Sequence, residues 1–257
     1  KHALTKKHEP YEKIGLKKGD KHIQINDSII QIENEYYSSI RPKRVVQSGQ
    51  RPINVLKNKG IEYIEVRCLD NNPFLRGSID KHTAYFIEAY LMVSLIDENY
   101  PFDENRIKEI QDNWQNTVRK GRDPNLLLKR DGKTISVKDA AEEVFSKIYD
   151  YAYALPIEAD DLKKKILRSL DIQKAKLRDS DLTPSGMIVK EMEEKNISWN
   201  EFCNDRAEIN NKYYEVLKKD TTNIKISAEA SLQEFQDLES SKEVDFDTFL
   251  KDYLNAI

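Results

Sequence analysis

"IEYIEVRCLDNNPF", residues 61–74, reads as a strand that holds Glu65 and Arg67 two positions apart. Alternation puts Tyr63, Glu65, Arg67 and Leu69 on one face and Ile64, Val66 and Cys68 on the other. Same-face Cα atoms lie roughly 6.6 Å apart, which suits two groups touching different parts of one ligand. A Glu-x-Arg pair on a strand is most often a solvated or cross-strand ion pair. The sharper reading is a site where a hard cation and a phosphate meet. Mg2+ takes carboxylate oxygens together with nucleotide phosphates, and an arginine offers two parallel donors to a phosphoryl group. Around a transferring phosphate, such groups stabilise charge as it develops.

Upstream, "HIQINDSIIQIENEYY" (22–37) alternates with a period of two, with "NDS" at 26–28 as the turn, so a hairpin is expected. Its second strand would carry Gln31, Glu33, Glu35 and Tyr37 on one face. Two carboxylates there repel unless they point into solvent or share a cation. "IRPKR" follows, and Pro42 loads Arg41, Lys43 and Arg44 onto a short connection that is either a polyphosphate clamp or a soluble basic loop. A turn-rich "SGQRPIN" leads on to the quoted strand.

After Gly77 the pattern changes. "SIDKHTAYFIEAYLMVSLID" is apolar nearly all round and reads as a buried helix capped by Ser78 or Asp80. Helical periodicity recurs at about 103–119, 136–153, 158–178, 184–195 and 198–218; Thr183 before Pro184 is an N-cap with proline at N1. "RDGKTIS" (130–136) is a small hairpin or a loop, and the charged tail 219–245 is expected to be loose. The expected class is α+β: residues 1–77 as the antiparallel sheet portion of a catalytic domain, and 78–257 as a helical region packed on it.

The whole chain, 257 residues with a formal charge of −3, is long enough for a sizeable core and too nearly neutral for charge-driven nucleic-acid binding. That balance hides an asymmetry, since residues 1–80 hold 15 Lys/Arg against 10 Asp/Glu. Cys68 and Cys203 make neither a disulfide framework nor a metal-ligand spacing, so a reducing cytoplasm is the expected home. No run of about 20 apolar residues suggests a membrane span. His2, His8, His22 and His82 lack ligand spacing, and neither a glycine-rich phosphate loop nor a Gly-x-Ser-x-Gly elbow is present. The start at Lys1, inside a basic run, reads as the middle of a longer protein.

"KIGLKKGDKHIQINDSIIQIENEYYSSIRPKRV", followed by "GIEYIEVRCLDNNPF", resembles the bacterial, monofunctional type of glutamate–cysteine ligase, whose members carry close relatives of both motifs in this order and spacing. The match runs from residue 13 to about 100, and "GRDPNL" and "DLTPSGMIV" look like the family's helical C-terminal region. Cys68 stands where serine is usual, and "YSS" replaces "YAP" before "IRPKR".

The resemblance implies a glutamine-synthetase-like fold, in which an antiparallel sheet cups the active site. It implies ATP- and Mg2+-dependent joining of the γ-carboxyl of L-glutamate to the amine of L-cysteine through an acyl phosphate, the first step of glutathione synthesis. On the matching positions, Glu65 corresponds to a Mg2+ ligand, Arg67 to the arginine facing the transferred phosphate and Tyr37 to a tyrosine closing the cysteine pocket. Glu33, Glu35, Arg41 and Arg44 lie in the matching motifs as possible further site residues. By the same resemblance the chain is a C-terminal half whose missing partner is the N-terminal half of the enzyme. Two readings stand beside the ligase: a non-catalytic fragment that needs the upstream half, and a related carboxylate–amine ligase with another acceptor.

Overall fold

The computed structural model describes residues 2–47, 50–98, 103–216, 221–241 and 245–255. Ser48 and Gly49 of the turn-rich stretch, residues 217 and 218 of the last periodic segment, and 219–220 and 242–244 of the tail lie outside the described residues. The architecture is α+β, with β structure confined, among the described residues, to three antiparallel two-stranded ribbons. Contacts divide the chain into two compact units, one of residues 1–70 with 219–257 and one of residues 71–218. The tail, which the sequence reading grouped with the helices, clusters with the first 70 residues.

In the first unit come helices α1 (His2–Thr5) and α2 (Glu9–Ile14), then ribbon β1 (Lys17–Lys18) and β2 (Lys21–His22). A 3-10 turn at Glu33–Glu35 leads to β3 (Ile40–Lys43), α3 (Pro52–Lys59) and β4 (Tyr63–Val66). β3 and β4 pair antiparallel, with Arg41 opposite Glu65 and Lys43 opposite Tyr63.

The hairpin expected over 22–37 does not form. Side chains capture the backbone groups that a ladder would need. Gln31 Oε1 accepts the Ile25 N–H (2.7 Å), Asn26 Nδ2 donates to the Gln31 carbonyl (3.0 Å) and Asn26 Oδ1 accepts the Ser28 N–H (2.9 Å). The "NDS" turn is therefore present without its strands. Glu33 and Glu35, on a 3-10 turn, do not share a strand face with Tyr37.

The second unit contains α4 (Lys81–Ile96), α5 (Glu104–Lys120), ribbon β5 (Leu127–Arg130) and β6 (Lys133–Ser136), α6 (Val137–Ala154), α7 (Asp160–Arg178), α8 (Pro184–Lys195) and α9 (Trp199–Val216). Its core is a three-helix seam of Ala89 and Val93 from α4, Phe145, Ile148 and Ala152 from α6, and Ile166 and Leu170 from α7. Asp80 caps α4 by accepting the Thr83 N–H at 2.8 Å. α4 is less enclosed than its composition suggests: Leu95 and Ile96 remain about 70 % exposed, because α6 and α7 cover only the face carrying Ala89 and Val93. "RDGKTIS" is a hairpin; Asp131 (φ 52°) and Gly132 (φ 75°) both take the left-handed backbone that a tight two-residue turn requires.

The tail belongs to the first unit as α10 (Thr222–Ser240), exposed throughout, and α11 (Phe246–Asn255), which buries Leu250. No helix of the described residues is long and apolar enough to cross a membrane.

Candidate active site on the β3–β4 ribbon

The pairing of β3 with β4 explains how a carboxylate and two cations come to share one surface. Alternation sends Glu65 and Arg67 to the same side, and the Arg67 N–H prolongs the ladder by donating to the Ser39 carbonyl at 2.8 Å. Arg67 Nη2 lies 2.9 Å from Glu65 Oε2. Lys43, on the paired strand, brings Nζ to 3.6 Å from the same oxygen. The Arg67 hydrogen bond, with the charges of Arg67 and Lys43, holds the Glu65 carboxyl below the usual carboxylate range against the opposing effect of desolvation. One carboxylate between two cations leaves the cluster net positive, which favours an anionic ligand. The Arg67 guanidinium also lies over the ring of Tyr37, 5.3 Å from its centroid, within cation–π range. Tyr37 is otherwise 79 % exposed.

The remaining candidates are engaged elsewhere. Glu33 turns inward and is 9 % exposed, gripped by Arg51 through Nε–Oε1 at 2.8 Å and Nη2–Oε2 at 2.9 Å. Glu35 closes its own 3-10 turn, its carboxylate accepting the N–H groups of Gln31 and Ile32 at 3.2 Å. Arg44 donates to the Lys59 carbonyl at 3.0 Å, at the C-terminus of α3, where carbonyls lack helical partners. Arg41 faces Glu65 in register but donates through Nη2 to the Glu33 carbonyl at 3.2 Å. It lines a largely apolar cleft of about 500 Å³ with Leu4, Tyr36, Pro42, Ile53 and Leu56.

The geometry thus gathers Glu65, Arg67 and Tyr37. It adds Lys43, which the sequence offers only within a basic stretch, with Arg41 and Arg44, that is either a polyphosphate clamp or a soluble loop. Its signal was present: period two puts Lys43 on the face of Arg41, and antiparallel pairing puts it diagonal to Glu65.

A family profile described as glutamate–cysteine ligase matches residues 1–117. The glutamate–cysteine ligase of Pseudomonas paraeruginosa is 36 % identical over 258 residues, an alignment that covers 99 % of this chain and 48 % of that protein. This chain is related to the glutamate–cysteine ligases. The enzyme of that name from Janthinobacterium sp. is 34 % identical across 98 % of this chain and 48 % of its own length. The crystal structure of glutamate–cysteine ligase from Francisella tularensis in complex with AMP superposes with a TM-score of 0.85 at 32 % identity, covering 99 % of this chain and 50 % of that one. The chain spans about half the length of the curated relatives it matches.

For a glutamate–cysteine ligase the resemblance implies Mg2+, and the residues present can be tested against that ion. Among the described residues, no three His, Cys, Asp or Glu side chains gather. Mg2+ is commonly held by one or two carboxylates together with substrate phosphates and water rather than by an all-protein cage. Glu65, a partly exposed and readily ionised carboxylate beside Arg67, fits as one such ligand.

Proposed function

We propose that the complete protein of which this chain is part is a cytoplasmic ligase that uses ATP to join the γ-carboxyl of L-glutamate to the amine of L-cysteine. The observation that carries this reading is the approach of Arg67 and Lys43 to one oxygen of Glu65, with Tyr37 against Arg67, in a chain 36 % identical over 258 residues to a named glutamate–cysteine ligase.

The reaction needs two displacements. A carboxylate oxygen of glutamate attacks the γ-phosphorus of ATP and ADP leaves, giving an acyl phosphate. The cysteine nitrogen then attacks the acyl carbon, phosphate leaves and the nitrogen gives up a proton. Arg67 presents paired donors to the equatorial oxygens of the moving phosphoryl group, where charge spreads in the transition state. Lys43 supplies a second, mobile cation on the same side. Tyr37 stacks beneath Arg67, which restricts the guanidinium, and its exposed hydroxyl borders the space that the amine substrate would enter. When bound, Mg2+ neutralises phosphate charge, and Glu65 would hold it.

The test is release of phosphate that depends on ATP, Mg2+ and glutamate and begins on adding cysteine. Release with cysteine supports the assignment. Release with 2-aminobutyrate or another amine in preference to cysteine would instead support the related carboxylate–amine ligase. Silence of this chain alone, with rescue by a co-expressed upstream half, would identify it as the fragment that completes the enzyme.

A further inference from the structure

The C-terminal helix α11 is tied to the site through one buried knot. Arg51, only 3 % exposed, makes two parallel hydrogen bonds to the Glu33 carboxylate. Its remaining nitrogen, Nη1, donates to the Tyr253 carbonyl at 3.2 Å, in the last turn of α11, where carbonyls lack helical partners and the helix dipole favours a cation. The guanidinium carbon lies over the Tyr253 ring, 4.2 Å from its centroid. The Tyr253 hydroxyl closes the circuit by donating to Glu33 Oε2 at 3.1 Å. At the other end of α11, Asp247 meets His22 at 3.0 Å and Phe246 packs edge-on against the same imidazole.

What makes this knot more than an anchor is the other end of Glu33. Its side chain enters the knot while its carbonyl oxygen serves two other donors. That oxygen accepts the Tyr36 N–H at 3.2 Å, which sets the exit of the 3-10 turn immediately before Tyr37. It also accepts Arg41 Nη2 at 3.2 Å, which turns Arg41 away from the facing Glu65 and leaves that carboxylate to Lys43 and Arg67.

We propose that Arg51 and Tyr253 are positioning residues for the candidate active site. Acting through Glu33, they fix Tyr37 under Arg67 and withhold Arg41 from Glu65, so the site assembles only when α11 is docked. This rests on the assignment of the β3–β4 surface as the site, and it deepens that assignment by making the C-terminal helix part of the machinery. Lysine at position 51 could not reproduce the fork that grips Glu33 and the helix end together.

The experiment substitutes Tyr253→Phe, which removes only the hydroxyl, and Arg51→Lys, with Ile148→Val in the other unit as a control for general loss of stability. Side-chain NMR of Arg41, Arg67 and the Tyr37 ring is recorded on this chain, and steady-state kinetics are measured on the full-length protein. Both knot variants are expected to shift the Arg41 and Tyr37 signals and to raise KM by roughly tenfold or more for Arg51→Lys, since small misplacements cost that much. The control is expected to lower the unfolding midpoint with neither change. Arg51→Lys or Tyr253→Phe proteins that lose stability while Arg41, Tyr37 and KM stay unchanged would overturn the proposal. The NMR arm needs no turnover, so a full-length protein that releases no phosphate on adding cysteine would refute the ligase reading alone.

Discussion

Lys43 and Arg67, from opposite strands of one ribbon, approach the same oxygen of Glu65, at 3.6 and 2.9 Å. A single carboxylate cannot neutralise both. A Glu65 drawn toward a metal ion would leave two cations facing the space above the strand, ready for phosphate.

Removing either cation is therefore expected to act on chemistry rather than folding. Arg67→Ala in the complete protein should lower turnover by about 10²–10³-fold, the scale of losing one transition-state donor. Lys43→Ala should lower it less, because its contact is longer and more exposed. Circular dichroism and urea midpoints should stay close to those of the parent. Near-normal kcat in Arg67→Ala would count against its role.

The Arg51–Glu33 pair sets a pH dependence of stability whose sign is determined. Burial pushes the Glu33 carboxyl up, but the bonds from Arg51, its own turn and Tyr253, with the Arg51 charge, outweigh it and leave the carboxyl below its ordinary value of 4.5. The unfolded chain therefore takes up the proton first on acidification. The stabilisation is fully present above about pH 4.5 and is lost as pH falls through the lower folded value. Tyr253 gives the opposite limb: burial and the nearby Glu33 charge raise its hydroxyl, so its contribution is present below about pH 10 and lost as pH rises through the folded value. Urea midpoints between pH 6 and pH 3 should show the acid limb in the parent and a flatter one in Glu33→Gln. That variant should also be destabilised by roughly 3–5 kcal/mol, the cost of leaving a buried partner unpaired.

At the start of α4, Asp80 accepts both the N–H and the hydroxyl of Thr83 at 2.8 Å. Asp80→Ala should cost about 1 kcal/mol and Asp80→Asn much less, as read from thermal midpoints, because asparagine caps nearly as well.

Gly186 tests the packing of α8. A Cβ there would stand 2.4 Å from the Ser180 carbonyl oxygen and 2.6 Å from the Asp181 Cα, both backbone atoms that cannot swing aside. Gly186→Ala should destabilise by about 1–3 kcal/mol despite the better helix propensity of alanine. An unchanged urea midpoint would show that the turn before α8 yields freely.

Strand β4 was legible because its alternation is regular and Gly60, which ends the helix before it, marks where it can begin. The helices were legible through caps such as Thr183, whose hydroxyl accepts the Gly186 N–H at 3.1 Å. The stretch 22–37 misled because alternating isoleucines are only half of a hairpin. Asn26, Gln31 and Glu35 offer the backbone other partners, and pattern alone does not reveal which partner wins. In the site, the shared face of Glu65 and Arg67 followed from period two alone. The inward turn of Glu33 did not, since its partners lie 18 residues away at Arg51 and 220 away at Tyr253. No local pattern records contacts of that span.

The most direct measurement follows a heavy-oxygen label from the γ-carboxyl of glutamate during turnover of the complete protein with ATP, Mg2+ and cysteine. An acyl phosphate requires that one labelled oxygen leave with each phosphate released, so label in the phosphate is the expected result. Unlabelled phosphate formed alongside the dipeptide would contradict the central claim, because the carboxylate would then never have been phosphorylated.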